Sequence, residues 1–165
     1  MIAKEDLSRI HILEQLADDM LDKFIQITEF VEFETGHVVY KEGDLADVFY
    51  MLRRGKILIE QRISPKATVT IDTIRPGESF GLASLLDVRV YHLDAICAEP
   101  SKLFLIKSED LLHLFQDDHS LGYKVMRNLT TILEKQLERR TEQFLRTIKT
   151  HPDIHDVVQS EPGHA

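Results

Sequence analysis

From about Phe30 to Ile106 the chain runs in short β-branched and aromatic stretches, broken by Gly, Pro and Asp at intervals of roughly ten residues. That rhythm is the pattern of an all-β sandwich or barrel. Strict alternation appears in Lys56-Ile57-Leu58-Ile59-Glu60-Gln61-Arg62 and again in Thr68-Val69-Thr70-Ile71-Asp72-Thr73-Ile74, as expected for strands with one face on a core and one in water. Gly36, Gly43 and Gly55 fall between the runs, where turns need positive φ or close backbone approach.

Helical periodicity brackets this region. Between Lys4 and Thr28, the residues Leu7, Ile10, Leu13, Leu16, Met20, Leu21, Phe24 and Ile27 recur every three or four positions, which predicts amphipathic helix packed on the barrel. Ser108-Glu109-Asp110-Leu111-Leu112 reads as a capped short helix, and Asp117-Asp118-His119-Ser120 introduces a longer one. From Leu121 to Ile148 there is no proline, and Val125, Leu129, Ile132, Leu133, Leu137, Phe144, Leu145 and Ile148 drift along one face. At about 1.5 Å per residue this helix reaches roughly 40 Å, more than a small sandwich covers. The expected layout is a single domain over 1–149, with N-terminal helices 4–28, barrel 30–106, C-terminal helices 108–149 and a loose tail over 150–165.

Composition excludes several classes. A formal charge of −8 argues against a nucleic-acid surface, because phosphate contacts come from clustered Lys and Arg. A single cysteine, Cys97, lies inside an expected strand and fits a buried, inert thiol in a reducing compartment, the cytoplasm. No apolar run is long enough to span a bilayer, and the acidic N-terminus is unlike a signal peptide. His11, His37, His92, His113 and His119 show no metal-ligand spacing, and the pair His151 and His155 reads as surface. No nucleophile elbow, Walker loop or zinc motif is present, the acid pairs Asp18-Asp19 and Asp117-Asp118 read as solvated helix ends, and no enzyme is expected.

The stretch Pro76 to Ala98, PGESFGLASLLDVRVYHLDAICA, reads as strand, glycine turn, short helical turn and strand. Such a turn offers free backbone N–H groups to an anion. Together with Phe33–Tyr40, the turn Glu42–Tyr50 and the segment Met51–Ile59, it resembles the cyclic nucleotide-binding domain family, most closely the sensor domains of its bacterial transcription regulators. The resemblance covers most of the chain. It implies a mainly β fold with flanking helices, a double-stranded β-helix (jelly roll) followed by a long C-terminal helix.

The resemblance also locates a phosphate-binding cassette, whose candidate ligand-binding residues are Gly81, Leu82, Ala83, Ser84, His92 and Leu93, with Gln136 and neighbouring Leu137 closing from the long helix. Two departures stand out. Leu82 occupies the place of the family's ribose-binding acid, and His92, followed by Leu93, that of its phosphate-binding arginine; Arg89 takes that place if the loop is shortened. Losing two charge-assisted hydrogen bonds of about 1.5–3 kcal/mol each weakens cAMP or cGMP by on the order of a hundred- to ten-thousand-fold. An imidazole lacks arginine's bidentate fork, and Leu82 desolvates the ribose hydroxyl at a cost of roughly 1–3 kcal/mol.

The expected function is therefore a non-enzymatic ligand-sensing or regulatory module with weakened or altered cAMP/cGMP binding, or one that takes another small organic anion. It would signal through the hinge Lys107–Asp118 to a homodimer mate held by the C-terminal helix, or to a separate effector protein. Gln136 and Arg140 interrupt the coiled-coil seam, so a helix folded back on its own barrel stands beside the dimer. The alternative function is a non-binding dimeric interaction scaffold. Too little chain follows the long helix for a helix-turn-helix, so no DNA partner is expected, and no membrane.

Overall fold

The computed structural model describes residues 2–151. They divide into two compact units, which meet between Asn128 and Leu129.

In the first unit the chain opens with α1 (Lys4–Leu7), a single 3₁₀ turn (His11–Leu13) and α2 (Asp18–Ile27). The continuous helix expected over 4–28 is thus three pieces. Ser8 closes α1, its hydroxyl bonding back to the Glu5 carbonyl at 3.0 Å; Gln15 adopts a left-handed φ of 63°; and Thr28 already belongs to the first strand. Of the expected apolar set Leu7, Ile10, Leu13, Leu16, Leu21 and Phe24 are buried, Met20 and Ile27 are half-buried, and Ile12, outside that set, is buried as well. Asn128 pins the 3₁₀ turn, donating from Nδ2 to the carbonyls of Ile12 and Glu14 at 3.1 and 3.0 Å.

Eight strands follow: β1 (Thr28–Phe33), β2 (Val38–Tyr40), β3 (Val48–Arg54), β4 (Ile57–Ser64), β5 (Ala67–Ile74), β6 (Ser79–Phe80), β7 (Asp94–Cys97) and β8 (Ser101–Lys107). They form two four-stranded antiparallel sheets, ordered β1-β8-β3-β6 and β2-β7-β4-β5. This is the expected jelly roll. Between the sheets lies a core that includes Tyr40, Tyr50, Leu52, Ile57, Ile59, Phe80, Tyr91, Ala95, Cys97 and Leu103.

Strand parity sorts β3: Tyr50 and Leu52 face this core, paired with Leu105 and Leu103, while Phe49 and Met51, paired with Ile106 and Phe104, are buried on the opposite face. A strand buried on both faces explains the unbroken apolar run Val48–Leu52. The alternation in β5 has a different outcome from that in β4. Ile57 and Ile59 are buried, whereas Val69 and Ile71 stay exposed, because β5 is an edge strand whose middle pairs with Glu60–Arg62, at and beyond the end of the β7 ladder. Gly36, Gly43 and Gly55 all have positive φ, as expected. At Gly55 the requirement is also steric, since a Cβ would lie 2.7 Å from the Pro100 carbonyl oxygen.

After β8 come α3 (Ser108–Asp117) and α4 (His119–Lys149). Two expectations change here. Ser108 is not the cap of α3, whose N-cap position is Lys107; it is fully buried inside the first turn. Asp118 is not a free solvated acid: Oδ1 accepts the Leu121 N–H at 3.0 Å, capping α4, and Oδ2 meets Lys23 Nζ at 2.5 Å. The Lys23 bond, then the Leu121 amide, holds the Asp118 carboxyl below the usual range, and the same bond raises Lys23.

Leu121 and Val125 of α4 are buried in the first unit. The second unit is the rest of this helix, on which Leu133, Leu137, Phe144 and Leu145 are exposed. Of the tail expected over 150–165, all but Thr150 and His151 lies outside the described residues, His155 included.

Candidate functional site

The stretch 76–98 folds in the order read from sequence. β6 ends at Phe80, Gly81 turns the chain with φ 76° and ψ 31°, Leu82–Leu85 form one 3₁₀ turn, and a loop leads to β7. Only glycine suits that corner. Its φ is left-handed, and a Cβ there would lie 3.0 Å from the Tyr50 ring and 3.1 Å from the Val48 carbonyl oxygen. Three backbone bonds hold the loop to the turn before β3: Gly43 N–H to Tyr91 O at 2.8 Å, Tyr91 N–H to Asp44 O at 3.0 Å and Ala46 N–H to Arg89 O at 2.9 Å.

Parity decides what the cassette faces. Cys97 and Ala95 point into the core, Leu93 packs against it, and continuing the alternation turns Tyr91 inward and His92 outward. His92 is exposed. The ring of Tyr91 thus lies inside, and His92, the sequence candidate for the phosphate position, lies at the surface. The rings of Tyr91 and Tyr40 stack at 3.7 Å and 10°, and the Tyr91 hydroxyl donates to the Val48 carbonyl at 2.6 Å. Tyr50 stacks on Phe80 at 5.1 Å, and Tyr40 lies 5.8 Å from Tyr50 and 6.0 Å from Phe80. Burial, with a further contribution from the Tyr50 hydroxyl, raises the Tyr40 and Tyr91 phenols far above their ordinary value, so both are neutral donors at any physiological pH.

The cassette's own polar groups are partly spent. The Ser84 amide bonds the Gly81 carbonyl at 3.1 Å. Ala83 packs on the aromatic core, Leu82 is half-buried, and Ser84 is fully buried with a hydroxyl that has no partner. The Ser84 carbonyl accepts the Ser108 hydroxyl, and Arg89 Nη1 reaches that same hydroxyl at 3.4 Å. Arg89 thus braces the cassette against α3. Gln136 and Leu137 lie on α4 in the second unit. Tyr40, Tyr50, Phe80 and Ser108 escaped the sequence reading; counting back by twos from Cys97 is the signal that finds Tyr91.

Among the described residues no cluster of His, Cys, Asp or Glu could hold a metal ion. None of their helices is long and apolar enough to cross a membrane. Cys97 is buried, and burial raises its thiol. α4 is the last element among them.

The comparisons with known proteins agree with this architecture. A Thermus thermophilus protein named cyclic AMP receptor protein is 27% identical over 122 residues, covering 74% of this chain and 55% of that protein. The crystal structure of the Thermus thermophilus catabolite activator protein superposes with a TM-score of 0.69 at 25% identity, over 84% of this chain and 63% of that one. A cyclic nucleotide-binding domain from Methylobacillus flagellatus KT shares the fold with a TM-score of 0.76 at 17% identity, over 90% of this chain and 83% of that one. This chain spans 13%, 15% and 55% of the first three curated relatives it matches, two of them Caenorhabditis cGMP-dependent protein kinases. The sequence model of the cyclic nucleotide-binding domain matches residues 30–118, more than half of the chain, and with this jelly roll and its glycine-cornered cassette the chain belongs to the cyclic nucleotide-binding domain family.

Proposed function

We propose that the chain is a non-enzymatic regulatory domain with weakened or altered cAMP and cGMP binding, acting in the cytoplasm through its helices on a second copy or a separate effector protein. The observation that carries this reading is the Tyr40–Tyr91 stack beside Gly81, in which rings take up interior space. A cyclic nucleotide entering there must displace buried aromatic surface, and it meets Leu82 in place of an acid. The proteins named cAMP receptor protein and cGMP-dependent protein kinase among the relatives supply the ligand class. The path outward runs from Ser84 through the Ser108 hydroxyl and Arg89 to the first turn of α3, so a shift of the cassette is felt by that helix. For the second copy, Met126, Leu133, Leu137 and Phe144 are exposed at spacings of seven, four and seven on α4, a heptad-like seam with Arg140 within it.

The same filled interior favours a second reading, a non-binding scaffold whose long helix does the work. Thermal unfolding in the presence of cAMP or cGMP separates the two. Ligand at about 1,000 times Kd stabilises by roughly 4 kcal/mol, so millimolar nucleotide must raise Tm visibly if a micromolar site survives and only slightly if the site is weakened. No shift at any concentration, together with loss of dimerisation on truncation at Thr131, favours the scaffold.

A further inference from the structure

Away from the cassette, a cleft of about 430 Å³ opens where the N-terminal segment crosses the end of β3 and the start of β8. Its walls carry Asp6, Arg9, Arg53, Arg54 and Lys102, with exposed Pro76 at its edge, while Ile10 and Leu52 behind it are buried. Two of these cations are already answered. Arg53 Nη2 meets Asp6 Oδ2 at 2.7 Å while its guanidinium lies over the Phe30 ring, 5.8 Å from the centroid, and Lys102 Nζ meets Glu32 at 2.7 Å. Arg9 and Arg54 have no acidic partner among the described residues. Four cations against two carboxylates leave two positive charges in one cleft, in a chain whose formal charge is −8.

The site is held by backbone as well. His11 N–H donates to Gly77 O at 2.9 Å and Gly77 N–H to Leu52 O at 2.8 Å, so the segment bearing Arg9 is tied to the strand that leads to Arg53 and Arg54. Gly77, with φ 92°, sits so close that a Cβ would lie 3.1 Å from the Arg9 carbonyl oxygen. The backbone that carries Arg9 is therefore placed beside β3 before any ligand arrives, which lowers part of the ordering cost of binding.

We infer that this cleft is a second ligand site, separate from the cassette, that takes a small soluble organic phosphate. The phosphate sits between Arg9 and Arg54 beside the anchored Arg53, and the organic part lies against Pro76 at the cleft's edge. Guanidinium forks match phosphate oxygens in pairs, and the volume suits a small molecule. Neutralising the two unanswered charges supplies the electrostatic drive.

Titration calorimetry of the full chain with inorganic pyrophosphate as the probe tests this. The wild type is compared with an Arg9→Gln/Arg54→Gln variant and with an Arg62→Gln/Lys66→Gln control on the β4–β5 hairpin. The expected result is saturable binding by wild type and control, weakened at least about tenfold in the cleft variant. In case that variant misfolds, amide chemical shifts of the wild type are also followed, with perturbations expected around Arg9, Arg53, Arg54 and Gly77. Absence of saturable binding, equal affinity in the cleft variant, equal loss in both variants, or shifts centred elsewhere overturns the assignment. A phosphate can also arrive on a lipid headgroup; capture by phosphatidylcholine vesicles carrying phosphatidylinositol phosphate, with no binding of pyrophosphate, equally overturns a soluble ligand.

Discussion

Tyr91 shows how one side chain's direction changes the chemistry of a pocket. Its ring is buried against Tyr40 and Gly81, and its hydroxyl satisfies the Val48 carbonyl. Tyr91→Ala leaves a cavity and should cost about 3–5 kcal/mol in urea unfolding, whereas Tyr91→Phe, which loses only the hydrogen bond, should cost about 1 kcal/mol. Equal effects of the two would mean that the ring contributes nothing to packing. Gly81→Ala meets both a left-handed φ and the Tyr50 ring, so a loss of about 1–2 kcal/mol is expected in the same assay. At this scale the sequence was legible wherever backbone geometry dictates the residue, as at Gly81. Which side chain turns inward was legible from the alternation Cys97, Ala95, Leu93, Tyr91, whereas motif spacing from Ala98 points to His92, which is exposed.

At the scale of elements, periodicity identified which apolar residues are buried better than it identified the element that buries them. The N-terminal set is buried or half-buried, but the breaks depend on Gln15 adopting positive φ and on Asn128 bonding the 3₁₀ turn, contacts made across more than a hundred residues of sequence. Asp118 is a similar case. Its partner Lys23 belongs to α2, so local sequence reads only an acidic helix end.

The Lys23–Asp118 pair has a definite pH signature. The folded-state pKa of Asp118 is depressed, so its stabilisation is full above the unfolded carboxylate value of about 3.9 and is lost as pH falls through the lower folded value. The folded-state pKa of Lys23 is raised, so its share is full below about 10.4 and is lost as pH rises through the higher folded value. Urea midpoints measured from about pH 6 down to about pH 2 should therefore fall less steeply in Asp118→Asn than in the wild type. Parallel acid limbs in the two proteins would contradict the pairing.

At the scale of the whole molecule, a braced cassette and a long helix with exposed apolar positions belong to one chain. Leu137→Glu places a charge in the seam, and sedimentation velocity should show the wild type dimeric and this variant shifted towards monomer; a monomeric wild type would assign the exposed residues to another partner. The jelly roll itself was legible because its turns and alternations are local, whereas which side chains fill its interior was not, since Tyr40, Tyr50, Phe80 and Tyr91 come from four separate segments that only the fold brings together. That filling is the central claim, and isothermal titration of the wild-type chain with cAMP and cGMP tests it most directly. The expected result is no saturable heat at micromolar nucleotide, with binding appearing only at concentrations on the order of a hundred- to ten-thousand-fold higher than an intact cassette would need. Saturable micromolar binding by the wild type would contradict it, because the aromatic stack would then have to leave the interior at little cost.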